Sequence, residues 1–108
     1  MAKNKGRDPG SLQVAEAARM LKAVADLDRL KIINALRGGS KNVGELAKIV
    51  GTEIVNVSHH LGVLRQSKVV KNQKKGRFVY YSLNPDTYKV SEKGELFTLG
   101  TCRLEIPK

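Results

Sequence analysis

Gly51 and Thr52 separate two short amphipathic segments so closely that only a tight turn fits between them. On the near side, Asn42 with Glu45 three residues on makes a capping-box start for a helix. That helix turns Val43, Leu46, Ala47 and Val50 inward and closes at Gly51. On the far side, Thr52 is the expected N-cap of a helix over 53–67 whose buried stripe is Ile54, Val57, Leu61 and Leu64. Two short helices across a tight turn, the second amphipathic, form a helix-turn-helix pattern. At about 100° per residue, the face opposite the second stripe carries Thr52, Val55, Asn56, His59, Gly62, Val63 and Gln66. That face is polar or small and holds no carboxylate.

Two helices are expected upstream. Ser11 is placed to cap the first, with Val14, Ala17, Ala18, Leu21, Val24 and Ala25 on one face. Asp26 caps the second, whose inward set is Leu27, Leu30, Ile33 and Leu36 before Gly38 and Gly39 stop it. Downstream the period changes. Val69–Gln73 and Arg77–Leu83 are rich in strand formers, and Lys74-Lys75-Gly76 supplies the turn of a β-hairpin with a cationic tip. Phe78, Tyr80 and Tyr81 are expected in the core or half-buried. Beyond Asp86, Leu96 to Ile106 alternates as a single strand, Leu99, Leu104 and Ile106 giving it an apolar side that packs on the first helix or another strand and joins two protomers. Cys102 falls within that alternation, where a buried, unreactive thiol is the expectation. The organisation is then a flexible basic arm over 1–10, a helix-turn-helix and hairpin domain over 11–86 and an extension over 87–108.

Charge narrows the partner. Twenty Lys and Arg against ten Asp and Glu leave a net charge of +10 on 108 residues. The excess is local, because Ile54 to Pro85 contains no acidic residue yet holds Arg65, Lys68, Lys71, Lys74, Lys75 and Arg77. A charge run is often only a solvated face; this one coincides with the hairpin, so a polyanion is the leading partner. No paired carboxylates, nucleophile-base set or phosphate-cradling glycine loop occurs, so the chain is not read as an enzyme. No apolar run approaches a membrane span, and neither a cofactor nor a membrane is expected. The single cysteine builds no disulfide or thiolate cage within one chain and fits a reducing, cytoplasmic setting.

Helix, helix, helix-turn-helix and basic hairpin is the order of a winged-helix domain, mainly α with a β-hairpin wing. Three motifs are more specific. AVADLDRLKIINAL, from Ala23 to Leu36, resembles the second-helix signature of the ArsR-type family of bacterial transcriptional repressors through Asp26, Arg29, Leu30 and Ile32. VSHHLGVLRQSKVV, from Val57 to Val70, resembles its recognition helix through Ser58, His60, Leu61, Leu64 and Arg65. GRFVYYSL, from Gly76 to Leu83, resembles its wing.

The resemblance implies a dimeric repressor of double-stranded DNA, with helix 53–67 in the major groove and wing 69–83 on the backbone. Asn56 and His59 are then the candidates for base readout, Ser58 and Gln66 for phosphate contact, and Thr52 for the helix start; Lys74, Lys75 and Arg77 lie along the phosphate backbone or reach a minor groove, adding salt-sensitive affinity. His60, at the edge of the buried face, is expected in a structural hydrogen bond. Metal-sensing members carry cysteines at the start of the first helix of the helix-turn-helix, where this chain has Asn42, Val43 and Gly44, so no metal is expected. A winged helix serving RNA or a protein partner is the other reading of the same charge and fold.

Overall fold

The computed structural model describes residues 9–108, with side chains from Gln13 onward. The arm expected over 1–10 lies, up to residue 8, outside the described residues. Four helices come first: α1 (Pro9–Val24), α2 (Leu27–Leu36), α3 (Val43–Val50) and α4 (Ile54–Gln66). A two-residue strand β1 (Lys41–Asn42) precedes α3, and β2 (Val70–Lys75), β3 (Phe78–Leu83), β4 (Tyr88–Ser91), β5 (Gly94–Leu99) and β6 (Cys102–Pro107) follow α4.

α1 begins at Pro9, so Ser11 lies inside the helix and does not cap it. Proline suits the first helical turn, where its missing N–H has no partner to lose. The buried face of α1 is Ala17, Met20, Ala23 and Val24, and Val14, Ala18, Leu21 and Ala25 point outward. On α2, Leu27 and Leu30 are 69% and 50% exposed, while Ile32, Ile33 and Leu36 enter the core. The expected inward set was therefore half wrong. α2 carries apolar residues on two faces, and the Asp26 cap, accepting from the Arg29 amide at 3.1 Å, fixes the start with the isoleucines turned inward.

The core joins Ile32, Leu46, Val57, Leu61, Leu64 and Val69 with Phe97 and Leu99 from the far end of the chain. Two antiparallel sheets surround it, with strand orders β1-β3-β2 and β4-β5-β6. In the first, β1 pairs Lys41 with Tyr81 and Asn42 with Tyr80, tying the hairpin to the start of α3. The second replaces the one strand expected over Leu96–Ile106: the chain reverses at Gly100-Thr101, and Leu99 pairs with Cys102. Gly100 has φ 64, and its α-carbon sits so close to α1 that an added Cβ would stand 2.8 Å from the Ala17 nitrogen. Leu99 is buried, whereas Leu104, Ile106 and Cys102 are exposed because β6 is an edge strand overhanging α2. The expectation of a buried thiol fails for that reason.

Behind α4, Lys68 takes φ 64 and lets the chain turn into β2. Its carbonyl accepts from the buried Thr87 hydroxyl at 2.7 Å and from Asn84 Nδ2 at 3.0 Å. Those bonds lock the exit of the hairpin to the end of α4.

Candidate nucleic-acid interface

α3 is held at its start by a complete capping box. Asn42 Oδ1 accepts from the Glu45 amide at 2.8 Å, and Glu45 Oε1 accepts from the Asn42 amide at 2.9 Å. The helix ends at Gly51, whose φ of 82 is the left-handed conformation glycine adopts without steric cost. The amides of Gly51 and Thr52 both donate to the Ala47 carbonyl, and α4 starts two residues later.

Glu53, not Thr52, occupies the N-cap of α4, and it makes no side-chain cap bond. The Thr52 hydroxyl instead accepts from Asn56 Nδ2 at 3.0 Å. That bond orients Asn56 and leaves its amide oxygen and second N–H for a partner. No side-chain cap therefore satisfies the first-turn amides of α4, and the exposed Glu53 stands at that end of the helix.

Val57, Leu61 and Leu64 anchor α4 in the core. Ile54 does not join them; it is exposed and lines an open groove with Ala47, Gly51 and Thr52. Asn56, Ser58, His59 and Gln66 are all exposed and Thr52 is half-buried. Thr52, Asn56 and His59 come together around the first two turns. Gln66 closes the helix about 15 Å beyond Asn56 along the axis and is not brought together with them. Val55, to which sequence reasoning assigned no role, is 74% exposed among these polar residues. Its helical angle already placed it on that face.

His60 faces inward and takes part in the structural contact expected of it. Its Nδ1 lies 3.0 Å from Arg29 Nη1 and its Nε2 lies 3.8 Å from Asp28 Oδ2. Arg29 Nε also donates to the Ala23 carbonyl, so one guanidinium joins the end of α1, the first turn of α2 and α4. Asp26 is drawn into the same cluster. Its hydrogen bond from the Arg29 amide, assisted by the Arg29 charge, outweighs desolvation and holds the carboxyl below its ordinary range.

The hairpin turns two residues later than the sequence suggested. Lys74 and Lys75 belong to β2, paired with Val79 and Phe78, and the reversal is Gly76-Arg77 with Gly76 at φ 64. Glycine at the first central position of a two-residue loop matches the twist of the flanking strands. Lys74, Lys75 and Arg77 are exposed. So is Phe78, contrary to expectation, because the hairpin projects beyond the core at its tip; Tyr80 and Tyr81 are half-buried, and Tyr81 packs on the core.

A helix-turn-helix whose second helix presents an acid-free outer face, followed at once by a cationic antiparallel hairpin, defines a winged helix-turn-helix DNA-binding protein. Comparison with known proteins names the family. The model of the arsR family of bacterial regulatory proteins matches residues 26–72. Over 65 residues the chain is 40% identical to the transcriptional repressor SdpR of Bacillus subtilis, a match covering 60% of this chain and 72% of SdpR. The homodimeric winged helix-turn-helix DNA-binding domain of a possible ArsR-family regulator from Mycobacterium bovis superposes with a TM-score of 0.71 at 27% identity, covering 80% of this chain and 78% of that one. NolR from Sinorhizobium fredii gives a TM-score of 0.68 at 30% identity, covering 80% and 84%. The chain belongs to the ArsR family of bacterial regulatory proteins.

Proposed function

We propose that this protein is a dimeric repressor that reads an inverted-repeat operator, with α4 in the major groove and the β2–β3 wing on the flanking backbone. The observation that carries this reading is the division of α4 into two faces. Val57, Leu61 and Leu64 fix the helix to the core, and the opposite face presents Asn56 and His59 with no carboxylate to repel DNA. Asn56, pre-oriented by Thr52, suits the paired donor and acceptor on an adenine edge, and His59 can donate or accept beside it. Ser58, Gln66, Lys74, Lys75 and Arg77 are assigned to the phosphates, which set register and affinity and leave sequence to the helix.

Repression by occupancy needs no catalysis, and no enzymatic role is assigned. Nor do we assign a metal at the start of α3. Asn42 is a helix cap there, with its side chain committed to the Glu45 amide, and a capping amide is no substitute for a thiolate. A DNA-binding regulator of this class works in the cytoplasm, where a bacterial chromosome lies; among the described residues no helix is long and apolar enough to cross a membrane.

Titration of duplex DNA, structured RNA and single-stranded RNA at one salt concentration tests the reading. Duplex DNA selected from a random pool should bind far more tightly than either RNA and should contain two half-sites with centres about 34 Å apart or a multiple of it. On that duplex Asn56→Ala and His59→Ala should each cost about 1–3 kcal/mol while leaving random DNA nearly unaffected. Tighter binding to RNA, or equal losses on both DNAs, would overturn the assignment.

A further inference from the structure

On the DNA-reading assignment of α4, we infer that Val55 reads the C5-methyl group of a thymine in each half-site. Among the described residues Val55 is the most exposed large hydrophobic side chain, at 74%. It stands in the first turn of α4, the part of a recognition helix that approaches base edges. By helical angle it lies about 40° from His59 and about 60° from Ser58, near the centre of the outward face. Ile54, exposed as well, turns instead toward the open groove against α3 and away from that face.

A valine can neither donate nor accept a hydrogen bond, so it contributes to base readout only through an apolar contact. The floor of the major groove offers one alkyl group, the thymine methyl; the other features are polar donors and acceptors and the flat C5–H edge of cytosine. The surroundings of Val55 favour a nucleic acid over a protein partner for this patch. Ser58 and His59 flank it on the helix surface, Asn56 follows it, and no acidic residue occurs from Ile54 to Pro85, the nearest being Glu53 at the N-cap. Asn56 strengthens the match, because its Thr52-oriented amide suits adenine, so the two adjacent side chains together select a step that contains an A·T pair.

The test uses the full chain and its selected operator, with each thymine in turn replaced by deoxyuridine, symmetrically in both half-sites. This removes one methyl group per half-site and leaves every hydrogen-bonding atom in place. At one position the replacement should weaken wild-type binding by about 4-fold per half-site, the worth of one buried methyl group, and so about 15-fold for the whole duplex. Val55→Ser should bind the thymine and deoxyuridine operators equally, both near the weakened wild-type level, with an unchanged melting temperature because the side chain touches no core. An operator indifferent to every methyl, or a methyl effect that persists in Val55→Ser, overturns the inference and leaves the proposed function standing. A chain that selects no duplex overturns both.

Discussion

Arg29 and His60 lie 31 residues apart in sequence and meet with Nη1 3.0 Å from Nδ1. A guanidinium only donates, so Nδ1 is the acceptor of this pair, and the other ring nitrogen, Nε2, faces Asp28. The angular position of the recognition helix therefore depends on a contact with α2. Arg29→Ala removes the donor to both His60 and the Ala23 carbonyl, and should lower the unfolding free energy by about 2 kcal/mol in urea titrations. Arg29→Lys should recover little, since an ammonium cannot supply the planar fork that reaches both acceptors. Full stability in Arg29→Ala would show that packing alone orients α4.

Asp26 should give the protein an acid-sensitive component. Its carboxyl is held below the ordinary value of 3.8, chiefly by the Arg29 amide. A lowered folded pKa means that its contribution is complete above 3.8 and is lost as the pH falls through the folded value. Asp26→Asn keeps an acceptor for the Arg29 amide but does not titrate. Its melting temperature should therefore fall less than that of the wild type across the acid range, and parallel acid profiles would exclude Asp26 as a contributor.

The wing should supply affinity without sequence preference. Replacing Lys74, Lys75 and Arg77 together by Ala should reduce the slope of log affinity against log salt by up to about three units per protomer. Fluorescence anisotropy on operator and random duplexes across a salt series measures this. An unchanged slope would place the wing away from DNA.

The elements around Gly51 were legible because local chemistry decides them: the Asn42–Glu45 box and the Gly51 stop act within a few residues. The inward face of α2 was not, since apolar side chains lie all round it and only the α3 and α4 contacts select Ile32 and Ile33. In the tail, alternation was visible but its reversal was overlooked. Phe97 and Leu99 share a face with Cys102 and Leu104, and across a hairpin odd and even positions do so only if the turn has an even number of residues, here Gly100-Thr101. Gly100 marks that turn, and it also admits α1. Gly100→Ala would set a Cβ 2.8 Å from the Ala17 nitrogen and 2.9 Å from its Cα, at a φ of 64. Backbone cannot yield as a flexible side chain would, so a loss of about 1–3 kcal/mol in unfolding free energy is expected. Wild-type stability in this variant would mean that α1 and the second sheet are free to move apart.

The same sheet sets how dimerisation is to be tested. Deleting residues 95–108 would remove Phe97 and Leu99 from the core, so a truncated chain would report on folding before assembly. Leu104 and Ile106 separate the two effects, being 45% and 37% exposed on the edge strand β6, where they line a shallow apolar groove with Leu30 and Ile33. We place these side chains in the contact between protomers of the proposed dimer, where covering the remaining surface of each would be worth about 1 kcal/mol. Two such residues from each protomer then contribute about 4 kcal/mol, or about a thousand-fold in the dimer constant. Leu104→Ser with Ile106→Ser should shift the sedimentation mass from dimer to monomer on dilution to micromolar concentration, while the core stays intact. A double variant that remains as tight a dimer as the wild type would move the interface to the outer face of α1, where Val14 and Leu21 are the exposed apolar residues.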